Sequence, residues 1–96
     1  MPKAYWIAHV DVTDAETYGK HAAIATEAIT AHGGEFLARS GRYVQLEGND
    51  RARNVVAVFP SLEDAVACYN SERYQEAVGY AKVSSTRDLM AVEGVD

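Results

Sequence analysis

Val55-Val56-Ala57-Val58-Phe59-Pro60-Ser61-Leu62-Glu63-Asp64 is apolar at each of its first five positions and then turns polar. A β-strand presents alternate residues to opposite sides, so a strand here has no solvent face and must be covered above and below. Pro60 ends it, because proline cannot donate to a ladder. Ser61 is an N-cap signal, and Leu62, Ala65, Val66 and Tyr69 recur at helical spacing, which predicts a helix to about Asn70. Upstream, Glu47-Gly48-Asn49-Asp50-Arg51-Ala52-Arg53 reads as a hairpin loop. Glu35–Ala38 and Arg42–Leu46 have strand composition, with Ser40-Gly41 between them read as a bulge or bend.

Lys3–Val12 is rich in β-branched and aromatic residues and reads as the first strand. Thr13-Asp14-Ala15-Glu16 fits a capping box opening a helix on Thr13, with Tyr18, Ala22, Ala25, Ile29 and His32 along one face and Gly33-Gly34 as its left-handed stop. Ser71–Ser85 is weakly periodic and reads as one or two short turns, and Arg87–Glu93 is a closing strand. The order β-α-β-β-α-β is that of an α+β fold, a four-stranded antiparallel sheet with two helices on one face. Two helices cover only one side, yet the first and third strands are apolar on both. A second copy of the same sheet, face to face in a barrel-like homodimer, is the economical cover.

The 96 residues carry 9 Lys+Arg against 14 Asp+Glu, a formal charge of −5. Residues 1–96 are expected to form one domain. The acidic balance excludes the positive stripe that nucleic acid or an anionic membrane would select. The one cysteine, Cys68, has no internal disulfide partner, which fits a reducing cytoplasm. No apolar run approaches the ~20 residues of a membrane span, and no secretory leader is read at the start.

Tyr5-Trp6-Ile7-Ala8-His9-Val10-Asp11-Val12-Thr13-Asp14, His32-Gly33-Gly34, Leu37-Ala38-Arg39, Glu47-Gly48, Phe59-Pro60-Ser61, Tyr69-Asn70-Ser71 with Tyr74-Gln75, and Val92-Glu93-Gly94 resemble, in order and spacing, the bacterial family known as domain of unknown function 1330. The resemblance implies a ferredoxin-like fold of the dimeric α/β-barrel type and no particular reaction. Where members often read Arg-Gly-Gly, this chain has Arg39-Ser40-Gly41, and where they often carry Leu-Arg it has Tyr80-Ala81. Related superfamilies of the fold include cofactor-free monooxygenases and muconolactone-type isomerases, and a shared fold does not fix a function.

The candidate chemistry is sparse. His21 borders the space between helix and sheet, where it either serves a ligand as a base or donor or simply packs at the boundary. His9 has Asp11 two residues on as an orienting carboxylate, and either lines a barrel or sits on an interface. His32 is explained by the end of its helix. Arg39 either holds the carboxylate of a small acid or pairs with Glu47 or Glu93. Tyr69, Asn70 and Tyr74 either rim a pocket or anchor a chain reversal. Cys68 reads as a packed small hydrophobe. No phosphate loop, nucleophile elbow, paired thiols or metal motif is present, so no cofactor and no metal are expected. The reading favours a cytoplasmic homodimer that binds a small organic molecule. The alternative is a cofactor-independent isomerase or monooxygenase-like enzyme in which His21 or His9 moves a proton on a small acid or aromatic substrate.

Overall fold

In the computed structural model, which describes residues 2–95, the first strand β1 (Ala4–Val12) is central. Its neighbours are β3 (Arg53–Phe59) and β4 (Ser85–Glu93), both antiparallel, and β2 (Glu35–Arg39) adds outside β3, giving the order β2-β3-β1-β4. Helices α1 (Ala15–Ala31), α2 (Leu62–Asn70) and α3 (Glu72–Ser84) complete a ferredoxin-like α+β fold. Register fixes the two faces of the sheet. Trp6 lies opposite Ala57 and Ala91, on the side that the helices cover, whereas Tyr5 lies opposite Val58 and Val92, and Ile7 opposite Val56 and Met90, on the open side.

The covered side owes its packing to a mixture of very small and very large residues. Ala4, Ala57, Ala65 and Ala77 are fully buried and let backbones approach, while Trp6, Phe59 and Tyr74 fill the space between. The Trp6 ring lies 4.9 Å from Phe59 and 5.0 Å from Tyr74 in tilted and edge-on contacts. The indole N–H donates to Ala65 O at 3.1 Å, so its one polar atom is satisfied. At the end of α1, Gly33 takes φ +79° and Gly34 donates to Ile29 O at 2.8 Å. Gly34 is needed for space: a Cβ there would lie 2.6 Å from Ile29 Cγ2 and 2.8 Å from Phe59 Cε1.

Three expectations are corrected. The N-cap of α1 is Asp14, whose carboxylate accepts from Thr17 N at 3.2 Å and Thr17 Oγ1 at 2.8 Å. Thr13 is instead tied through its backbone N–H to Ser84 O. Residues 71–85 are not short turns but α3, capped by the Ser71 hydroxyl that accepts from Tyr74 N, so three helices cover the sheet. The buried stripe of α3 is Tyr74, Ala77, Val78, Ala81 and Ser84, mostly small residues that give little hydrophobic contrast in sequence. Finally, Arg42–Leu46 forms no strand. β2 lies at the sheet edge, Ser40 turns the chain away at φ +60°, and Val44 and Leu46 are left 80% and 87% exposed. The bend expected at Ser40-Gly41 is present at Ser40, and β2 carries a separate register shift between Phe36 and Ala38.

Candidate functional site

Alanines face each other across the interface between α1 and the sheet, with Ala22 and Ala25 on the helix and Ala8 and Ala57 below. Methyl groups on both sides leave a gap, and a cavity of about 50 Å³ opens there. Its polar wall is supplied by five elements: Tyr18 and His21 from α1, Arg39 from β2, Arg53 from β3, Tyr74 from α3 and Arg87 from β4.

His21 is only 4% exposed because it lies between Tyr18 and Ala25 on the buried stripe of α1. Its Nδ1 is 2.9 Å from the carbonyl oxygen of Ala77, which can only accept, so Nδ1 carries the proton. Nε2 is then a bare lone pair, and it accepts from Arg87 Nη1 at 3.1 Å. The other arm of the same guanidinium, Nη2, donates to Tyr74 OH at 2.9 Å. Burial, with smaller contributions from the Arg87 and Arg53 charges, lowers the His21 pKa from 6.5 to about 4 against the raising effect of Ala77, so the imidazole is neutral at physiological pH. Burial likewise lifts the Tyr74 phenol above its ordinary range, opposed by Arg87.

The three arginines share one property. Arg87 donates to His21 and Tyr74, with Tyr18 also supporting its charge, and meets no carboxylate among the described residues. Arg53 lies over the Tyr18 ring at 5.3 Å, with its buried Nε lacking a partner among the described residues. Arg39 donates to Thr26 Oγ1 at 2.8 Å and lies 4.3 Å over Phe36. Among the described residues no Asp or Glu lines the cavity, and the ion pairs engage Arg51 and Arg73 instead. An acid-free cavity with three guanidiniums in its wall has the electrostatics of an anion site.

Of the residues singled out by sequence, the structure brings His21, Arg39 and Tyr74 together. Arg39 pairs with neither Glu47 nor Glu93 but with Thr26. Tyr69 lies outside this cavity, its ring 5.4 Å from Tyr74 and 6.4 Å from Trp6, and lines a second groove between α2 and β4. Asn70 is exposed at the end of α2 and lines neither space. His9 projects from the open face of the sheet, and its orienting partner is not Asp11: its Nδ1 donates to Asn54 Oδ1 at 2.6 Å, while Asp11 is held by Arg51 at 3.0 Å. His32 Nδ1 donates to Ala28 O within its own turn. Cys68 is buried, and burial pushes its thiol up to about 11. Sequence reasoning missed Tyr18, Arg53 and Arg87. Strand alternation held the signal for the two arginines, since Arg87 shares a face with Leu89 and Ala91, and Arg53 with Val55 and Ala57.

A family model described as a domain of unknown function, DUF1330, matches residues 3–95. The chain belongs to the DUF1330 family. None of the curated proteins compared matches this DUF1330 protein. Among solved structures it is similar to a protein of unknown function from Rhodopseudomonas palustris, with a TM-score of 0.81 at 16% identity over 99% of this chain and 84% of that one. It is also similar to SnoaB, a cofactor-independent oxygenase from Streptomyces nogalater, at a TM-score of 0.67 and 11% identity over 100% and 96% of the two chains. A dimeric protein of unknown function with a ferredoxin-like fold from Bacteroides fragilis gives a TM-score of 0.57 at 14% identity, with 96% of each chain covered. At these identities the likeness is one of fold. Among the described residues no helix is long and apolar enough to cross a membrane.

Proposed function

We propose that this DUF1330 protein binds a small organic anion, with the acid group seated at Arg87, Arg53 and Arg39. One observation carries the reading: three arginines converge on an acid-free cavity in a chain whose net charge is −5. Tyr74 and His21 hold the Arg87 fork at a fixed angle, which is what bidentate recognition of a carboxylate requires. We further infer that the chain works as one domain paired with a second copy through the open face of its sheet. Tyr5, Val58 and Val92 in one cross-strand rank and Ile7, Val56 and Met90 in the next form an apolar block that a partner sheet would cover. The single buried thiol suits the cytoplasm.

The likeness to a cofactor-independent oxygenase supports a second reading, in which the arginines stabilise an enolate or phenolate during turnover. The state of His21 weighs against it. A base with a pKa of about 4 whose lone pair already accepts from Arg87 is poorly suited to take a proton at neutral pH.

The test is ligand-observed NMR and melting shift with butanoate and benzoate against their amides, on the wild type and on Arg87→Met, with circular dichroism to confirm folding. Acids are expected to bind and stabilise, amides not, and the variant to lose the difference. Equal behaviour of acids and amides refutes the proposal.

A further inference from the structure

The cavity beside His21 measures only about 50 Å³, whereas pockets that enclose a small molecule run to roughly 300–1,000 Å³. It has room for an acid group and little else. The body of the ligand needs another place, and Arg87 points to it. A second space of about 360 Å³ lies between α2 and β4, and Trp6, Arg87 and Leu89 line both spaces. Beyond those three residues the groove is walled by Ala65, Val66, Tyr69, Met90 and Ala91, with no second charge among the described residues. A groove walled mainly by apolar side chains, with one cation that it shares with the inner cavity, suits an amphipathic acid.

We propose that the α2–β4 groove holds the apolar body of the anion whose head reaches Arg87, so that the ligand is an elongated amphipathic carboxylate rather than a compact acid. This rests on the anion-binding reading above. The division of labour follows from the residues: Arg87 fixes the head, and the Trp6, Val66, Tyr69 and Leu89 side chains remove the body from water. Trp6 cannot swing aside without breaking its bond to Ala65 O, so the one ring is a fixed part of the lining of both spaces.

The experiment is a calorimetric series of straight-chain alkanoates, butanoate to octanoate, on the wild type, Arg87→Met and Val66→Gln. Val66 is 45% exposed on α2, so an amide there alters the trough with little effect on folding. Affinity is expected to rise about fourfold per methylene in the wild type. Val66→Gln should weaken octanoate about tenfold while leaving butanoate within about twofold. ω-Bromo-octanoate should quench Trp6, the chain's one tryptophan, which gives a readout independent of any variant. Arg87-dependent binding without a length dependence, a length dependence untouched by Val66→Gln, or binding of the bromo acid without quenching would each overturn the groove assignment alone. Absence of Arg87-dependent binding at every chain length would overturn the anion-binding reading with it.

Discussion

The neutral state of His21 makes this protein acid-labile in a way that one substitution removes. Unfolded, the imidazole titrates near 6.5; folded, burial and the facing Arg87 and Arg53 charges lower that to about 4. As pH falls below 6.5 the unfolded chain takes up a proton that the folded chain refuses, so stability is fully present above about pH 7, is lost progressively down to about pH 4, and levels below that. At about 1.4 kcal/mol per pKa unit the loss comes to about 3 kcal/mol. A domain of this length has only about 5–14 kcal/mol in all. The control is His21→Gln, whose amide can donate to Ala77 O and accept from Arg87 as the imidazole does. Urea unfolding followed by Trp6 fluorescence at pH 7.5, 6, 5 and 4.5, at fixed protein concentration, compares the two. Carboxylate titration is common to both proteins, so the difference in their pH slopes isolates His21. If wild type and variant lose the same stability between pH 7 and 4.5, the imidazole is not held neutral and the reading of its hydrogen bonds is wrong.

Gly34→Ala should cost about 1–3 kcal/mol by differential scanning calorimetry, because the new methyl overlaps Ile29 and Phe59. An unchanged melting temperature would show that the α1–β3 contact yields easily. Ser40→Gly should raise stability by up to about 1 kcal/mol in urea titration by relieving a side chain held at φ +60°. Cys68 in the native protein at pH 8 should react with iodoacetamide about a hundredfold more slowly than in urea, since burial raises its pKa to about 11. Rapid native labelling followed by mass spectrometry would place the thiol nearer solvent.

The strands and the first two helices were legible because their signals are local. Val55–Phe59 is apolar without a break, Ser61 sits where a cap belongs, and Gly33-Gly34 supplies both the turn and the close approach. The third helix was not legible because Ala77 and Ala81 pack by being small and Gly79 on its exposed side is a poor helix former, which leaves no clear hydrophobic period. The fate of Arg42–Leu46 was hidden for another reason: strand composition makes a strand only where a neighbour offers unpaired backbone, and the chain turns away at Ser40 before β3 begins. In the site, His21 was visible as a histidine near an apolar stripe, but its state depends on the Ala77 carbonyl, 56 residues away. Arg87 and Arg53 were visible only as charges on the inward phase of a strand. His9, which carried an evident carboxylate partner in sequence, finds Asn54 across the ladder instead. Cross-strand register outweighs proximity along the chain.

The energetics of the arginine cluster argue for a ligand rather than a structural role. A guanidinium withdrawn from water recovers its desolvation cost only with a well-placed opposite charge. Arg87 meets none among the described residues: it donates to a neutral imidazole and a phenol, with Tyr18 also supporting its charge, and hydrogen bonds from a charged donor return about 1.5–3 kcal/mol each. Arg53 leaves a buried nitrogen without a partner among the described residues, and both charges further destabilise protonated His21. Three of the chain's six arginines line this one cavity, and no carboxylate of the described residues does. A fold selected for stability alone would gain by placing one of those carboxylates, or a leucine, among them. On the anion-binding proposal a carboxylate at Arg87 would supply that opposite charge, so interactions that do little for folding would be realised on binding.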